Sequence, residues 1–216
     1  MAQFVKVPHR LLELKVERNG KKVPENDAVK YTLIALLYYR PKNSNTIKVK
    51  LSTIAKVTKL STRQITRNIN KLIDYKLISR KQEIHGNNEF GCNIYSLLYQ
   101  EKDDYTELPF EIIANKNIPI TAKIGYCVIK RAANKETGKW YGKRAELAKN
   151  LQCSINHVDK IKRYLKEASL IECSDGEITL KPIISSDVKK KKIRKSVHKI
   201  IDTGVEVYED DTNTSG

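Results

Sequence analysis

Sliding the chain along itself by 93 residues lays segment 51–78 over segment 144–171 without a gap, so the fold must be one that can be built twice. Ile54 then matches Leu147, Ala55 matches Ala148, Leu60 matches Cys153, Ile65 matches Val158, Leu72 matches Leu165, and Leu77-Ile78 match Leu170-Ile171. Ser61 falls on Ser154. At 40% hydrophobic content, seven apolar coincidences at chosen positions arise by chance about twice in a thousand trials, before the offsets searched are counted.

A second echo lies upstream, where Val7-Pro8-His9-Arg10-Leu11-Leu12 parallels Leu108-Pro109-Phe110-Glu111-Ile112-Ile113 at an offset of 101. The first copy is therefore eight residues longer, and the surplus falls between Leu14 and Asn26. There Glu17-Arg18-Asn19-Gly20-Lys21-Lys22 reads as a hairpin or polar turn around Asn-Gly, the kind of loop that accepts an insertion. The chain of 216 residues divides into a domain over 1–100 with an N-terminal extension, a domain over 105–184, and a basic then acidic tail over 185–216. The polar run Gln100-Glu101-Lys102-Asp103-Asp104 joins the two domains.

Within the first copy, Asn26 or Asp27 can cap a core helix through Tyr31, Leu33, Ile34 and Leu37 that ends before Pro41. Ser52 can cap a short helix over 53–58, and Ser61 a third over 62–75 after the turn at Lys59-Leu60. Residues 77–81 and 90–98 read as strands of a hairpin turning at 85–88. The second copy repeats the order with helices over 121–133, 144–150 and 155–168, a short strand around Trp140-Tyr141, and strands over 170–173 and 178–180. Two capped helices separated by a tight turn and followed by a hairpin form a winged helix-turn-helix pattern. The expected fold class is α+β, two tandem winged helix-turn-helix domains, each a three-helix core with a small antiparallel β-wing.

The run Leu51-Ser52-Thr53-Ile54-Ala55 through Leu60-Ser61-Thr62-Arg63-Gln64-Ile65-Thr66-Arg67 to Leu72 and Leu77-Ile78 resembles bacterial winged-helix DNA-binding domains. With the upstream Val-Pro-x-x-Leu-Leu element it is most similar to those at the N-termini of plasmid replication initiators and phage replisome organisers of low-GC Gram-positive bacteria. The likeness covers about 70 residues of the first copy and is specific for the fold more than for the process served. Lys76 and Ser169 depart from it, since such domains usually carry Gly before the wing strand.

Charge points to the same partner. Lys and Arg total 41 against 25 Asp and Glu, a formal +16 that suits a polyanion. On a helical wheel Ile65, Ile69, Leu72 and Ile73 face the core, which leaves Arg63, Arg67, Asn70 and Lys71 opposite, with Gln64 at the margin. Arg pairs bidentately with guanine and Asn or Gln with adenine, whereas Lys contacts phosphate. In the second copy Asn156, Lys160 and Arg163 face outward, flanked by His157 and Tyr164; Asp159 can accept from cytosine N4 or repel phosphate and the wing at Asp175 and Glu177 is acidic, so this copy is expected to bind DNA more weakly or to use its surface for protein contacts. Arg80, Lys81, His85 and Asn87 of the first wing can reach a phosphate or the minor groove, and Lys189-Lys190-Lys191-Lys192 in the tail can add non-specific affinity.

Double-stranded DNA is thus the expected partner, with replication or transcription proteins as further candidates and a monomer or homodimer as the acting form. Origin binding in the replication of a plasmid or phage is the leading role, ahead of transcription regulation and non-specific architectural binding. The segment 1–8 has neither a charged leader nor an apolar stretch, there is no long apolar span, and a cytoplasmic protein with no membrane association is expected. Cys92, Cys127, Cys153 and Cys173 lack zinc-finger spacing and read as structural thiols. The phosphate-cradling GxxxxGK, HExxH and GxSxG patterns do not occur. No catalytic residue, metal site or cofactor is expected, and the chain is not read as an enzyme.

Overall fold

The computed structural model describes residues 3–42, 44–84, 90–99 and 104–183. The first half runs β1 (Phe4–Pro8), α1 (His9–Leu12), β2 (Lys15–Arg18), β3 (Lys21–Pro24), α2 (Asp27–Tyr38), β4 (Thr46–Val49), α3 (Leu51–Thr58), α4 (Thr62–Asp74), β5 (Ile78–Ile84) and β6 (Phe90–Leu97). The second runs β7 (Tyr105–Pro109), α5 (Phe110–Ala114), α6 (Ile120–Ala132), β8 (Lys139–Tyr141), α7 (Arg144–Leu151), α8 (Ile155–Glu167), β9 (Ile171–Ser174) and β10 (Glu177–Leu180). Helices and small antiparallel sheets alternate throughout, so the chain is of the mixed α+β class.

The sequence repeat is a structural one. Helices α3 and α4 begin and end 93 residues before α7 and α8, whereas β1 begins and ends 101 residues before β7. The eight-residue difference is the β2–β3 hairpin, whose turn places Asn19 at φ 52° and Gly20 at φ 70°, the two positive angles of a type I′ connection. Each half has a three-stranded sheet of the same order, β4–β6–β5 and β8–β10–β9.

Local chemistry accounts for the helix ends. The Asn26 carboxamide accepts the Ala28 N–H at 2.8 Å, and Ser61 and Ser154 accept from Gln64 and His157 at 3.2 and 3.3 Å. The expected Ser52 cap is not formed: α3 starts at Leu51 with Lys50 as its N-cap, because β4 runs to Val49 and the Lys50 carbonyl already receives the Ile54 N–H. Lys76 and Ser169, at φ 53° and 56°, occupy the left-handed position after α4 and α8. The N–H of Leu77 reaches the Leu72 carbonyl and that of Leu170 the Leu165 carbonyl, a Schellman ending in both halves. Glycine is favoured here because it has no Cβ to clash at positive φ; this chain meets the geometry with a lysine and a serine.

The halves share one compact unit, Met1–Ser185. β1 pairs antiparallel with β7, Val5 opposite Leu108 and Val7 opposite Thr106, and the two core helices α2 and α6 pack on each other. Helix α2 is buried nearly all round, as its near-continuous apolar run requires, with Tyr31, Leu33, Ile34 and Leu36 inaccessible. Two lysines sit within this joint at equivalent positions. Lys30 donates to the Leu12 carbonyl at 2.9 Å and Lys123 to the Ile113 carbonyl at 2.7 Å, so each core helix ties down the short helix of its own half. Both ammonium groups are buried, which pushes their pKa down, that of Lys123 to about 8.

Candidate nucleic-acid interface

Ile65, Ile69 and Leu72 anchor α4 against α2 and are fully inaccessible. The opposite face carries Arg63, Arg67 and Asn70, all exposed. Among the described residues no carboxylate pairs with either arginine. Gln64 is half-buried, and its Nε2 donates to Asn68 Oδ1 at 2.8 Å. Asn68 is itself buried and donates to Thr32 Oγ1 at 2.9 Å and to the Ala28 carbonyl at 3.1 Å, which locks α4 to α2. The amide of Gln64 therefore keeps one N–H and its carbonyl oxygen for an outside partner.

Lys71 belongs to a different arrangement. Its Nζ lies 3.1 Å from Oε1 of Glu25, whose side chain is inaccessible. The same carboxylate accepts from Tyr75 Oη and, at 2.7 Å, from the Asn26 N–H. Burial pushes the Glu25 pKa up, but these bonds outweigh it and hold the carboxyl below its ordinary range. Lys71 thus offers a phosphate much less than a free ammonium would.

On α8, Val158, Ile161 and Leu165 are buried, while Asn156, Lys160 and Arg163 are exposed. Asp159 is engaged by Arg144 of α7, which offsets the carboxylate that opposes phosphate on this face. Arg163 has its Nε 3.9 Å from Glu167 and its guanidinium 5.6 Å from the Tyr164 ring centre. His157 does not share the outward face. It lines a cavity of about 300 Å³ between α2, α6 and α8, together with Asp27, Lys30, Gln152 and Cys153. Burial there raises the Asp27 carboxyl above its usual range.

Compared with protein-family models, with curated proteins and with solved structures, the chain matches none.

The hairpins differ in charge. Arg80 and Lys81 are exposed on β5, whereas His85 and Asn87 lie outside the described residues. In the β9–β10 hairpin Glu177 is bridged by Lys139 at 3.1 Å, which leaves Asp175 as its uncompensated carboxylate among the described residues. Trp140 is 6% exposed and belongs to the core. Lys189, Lys190, Lys191 and Lys192 lie outside the described residues.

Among the described residues the four cysteines are free thiols, no group of three or more His, Cys, Asp and Glu side chains could hold a metal ion, and no helix is long and apolar enough to cross a membrane. Sequence reasoning missed Glu25 and Asn68. Asn68 has a signal, since it lies three positions after Ile65 on the core side of the wheel. Glu25 has none, because Lys71 and Tyr75 are 46 and 50 residues away.

Proposed function

We propose that the chain is a tandem winged-helix protein that binds double-stranded DNA in a sequence-specific manner and serves as an origin-binding replication protein of a plasmid or phage. The observation that carries the DNA-binding reading is the exposed face of α4, where Arg63 and Arg67 have no carboxylate partner among the described residues and Asn70 lies beside them, opposite a fully buried apolar face. The winged-helix reading is supported by the order core helix, strand, two helices joined by a short turn, and hairpin, which occurs in both halves with equivalent sheets. The replication role rests on the sequence resemblance alone.

In this reading α4 reads one major-groove segment and α8 a second, more weakly. Strand β1 pairs antiparallel with its equivalent β7 and α2 packs on α6, which supports unequal half-sites in inverted orientation; if both modules engage one face of the duplex, the half-site centres lie about 10 base pairs apart. Footprinting tests it. Arg63→Ala with Arg67→Ala should weaken binding at least tenfold, and Asn156→Ala with Lys160→Ala should erase protection of one half-site only. A single protected groove insensitive to the α8 substitutions would contradict the two-module mode.

A further inference from the structure

The β2–β3 hairpin has no counterpart in the second half, where the chain passes from α5 to α6 through residues 115–119. It buries little. Val16 and Val23 face each other half-buried across the ladder, while Lys15, Glu17, Lys21, Lys22 and Pro24 are exposed. An isolated two-stranded ribbon is marginal in water, so its residues add little to the core. What it does carry is charge: Lys15, Arg18, Lys21 and Lys22 against Glu17 alone.

Its base is held firmly. The Glu25 N–H donates to the Leu14 carbonyl at 2.9 Å, closing the two legs. The Glu25 side chain then binds Lys71 and Tyr75 at the C-terminal end of α4. A buried, multiply bonded carboxylate thus clamps the hairpin to the same helix that exposes Arg63 and Arg67. The base of the ribbon that carries these cations is thereby fixed to that helix.

We propose that the β2–β3 hairpin is an additional DNA-contacting element, whose lysines grip the phosphate backbone beside the segment met by α4. This inference rests on the DNA-binding reading above and adds to it a surface and its partner, the duplex backbone. Charge complementarity commits the ribbon to a polyanion, and its anchorage to α4 commits it to the same duplex.

Affinity of the full chain for its selected duplex is measured against salt concentration for two triple variants of equal charge change. One is Lys15→Gln, Lys21→Gln, Lys22→Gln in the hairpin. The other is Lys42→Gln, Lys116→Gln, Lys135→Gln at exposed loop positions elsewhere. Each lost phosphate contact lowers the slope of log affinity on log salt by about 0.9, so the hairpin triple should lower it by about 2.7 and the control triple by less than 1. A deletion of residues 15–22, which restores the length of the second half, should reproduce the hairpin result and shorten the footprint on one side. Equal slopes for the two triples, or a hairpin triple that binds as the unaltered chain does, overturn the proposal and leave the hairpin to another partner such as an acidic protein surface. Failure of the unaltered chain to bind duplex DNA overturns this proposal together with the reading beneath it.

Discussion

Lys6 lies directly opposite Glu107 at the centre of the β1–β7 ladder, and the two occupy the same position in the repeat, 101 residues apart. A strand that pairs antiparallel with its own equivalent about equivalent residues defines a local two-fold axis. The chain is built as a homodimer would be, with both protomers on one polypeptide. The charges at the axis differ in sign, which favours pairing between the halves over pairing of like strands from two chains.

That relationship has an energetic consequence. Glu107→Lys would set like charges opposite each other and also remove the carboxylate 3.9 Å from Lys130. Cross-strand pairs contribute roughly 0.2–1 kcal/mol, so a loss of about 1 kcal/mol is expected in chemical denaturation. The swap Lys6→Glu with Glu107→Lys should recover part of it. A swap no better than the single change would show that the pair contributes nothing.

The left-handed residues offer a gain in stability. Lys76 and Ser169 hold φ 53° and 56° where their Cβ atoms crowd the following carbonyl. Glycine avoids that crowding at some cost in unfolded-chain entropy, so Lys76→Gly and Ser169→Gly should each stabilise by about 0.5–1 kcal/mol. Denaturant midpoints measure this. The same substitution at Asn70, inside α4, should instead destabilise by about 0.3 kcal/mol.

Stability should rise with pH between about 8 and 9. Lys123 titrates at about 8 when folded, against 10.5 for a free lysine, because burial disfavours its charge and Lys59 adds repulsion. In that window the unfolded chain binds more protons than the folded one, so raising the pH favours folding. Above about pH 9 the buried Cys127 thiol, pushed up to about 12, keeps a proton that the unfolded chain releases and offsets the gain, and above pH 10 Tyr95 and Tyr126, likewise held up to about 12 by burial, reverse the sign. Melting temperatures across the range should show the rise, and Lys123→Met should flatten it.

Parts of the molecule that depend on local chemistry were legible in the sequence. The caps at Asn26 and Ser61, the 3.6-residue pattern of α4 and α8, and the Asn-Gly turn all act over a few residues. Contacts between distant segments were not. Strands β1 and β7 are five residues each with a terminal proline, and nothing in either names the other as its partner. Likewise, Gly125 is a poor helix former until α8 is in place. A methyl there would lie 2.5 Å from Cγ2 of Ile161, so the close approach of α6 and α8 requires its absence. In the first half Thr32 and Asn68 fill the equivalent positions, and a hydrogen bond replaces apolar contact. Candidate base-reading residues followed from the wheel, but whether a cation is free depends on distant carboxylates, as Glu25 shows for Lys71.

Selection of binding sites from random duplexes by the full chain, at near-physiological salt, decides whether the two halves read DNA sequence together. The expected result is one enriched motif with two unequal arms in inverted orientation, their centres about 10 base pairs apart, the stronger arm lost with Arg63→Ala and Arg67→Ala. Recovery of no motif, with binding that fades uniformly across sequences as salt rises, would contradict it.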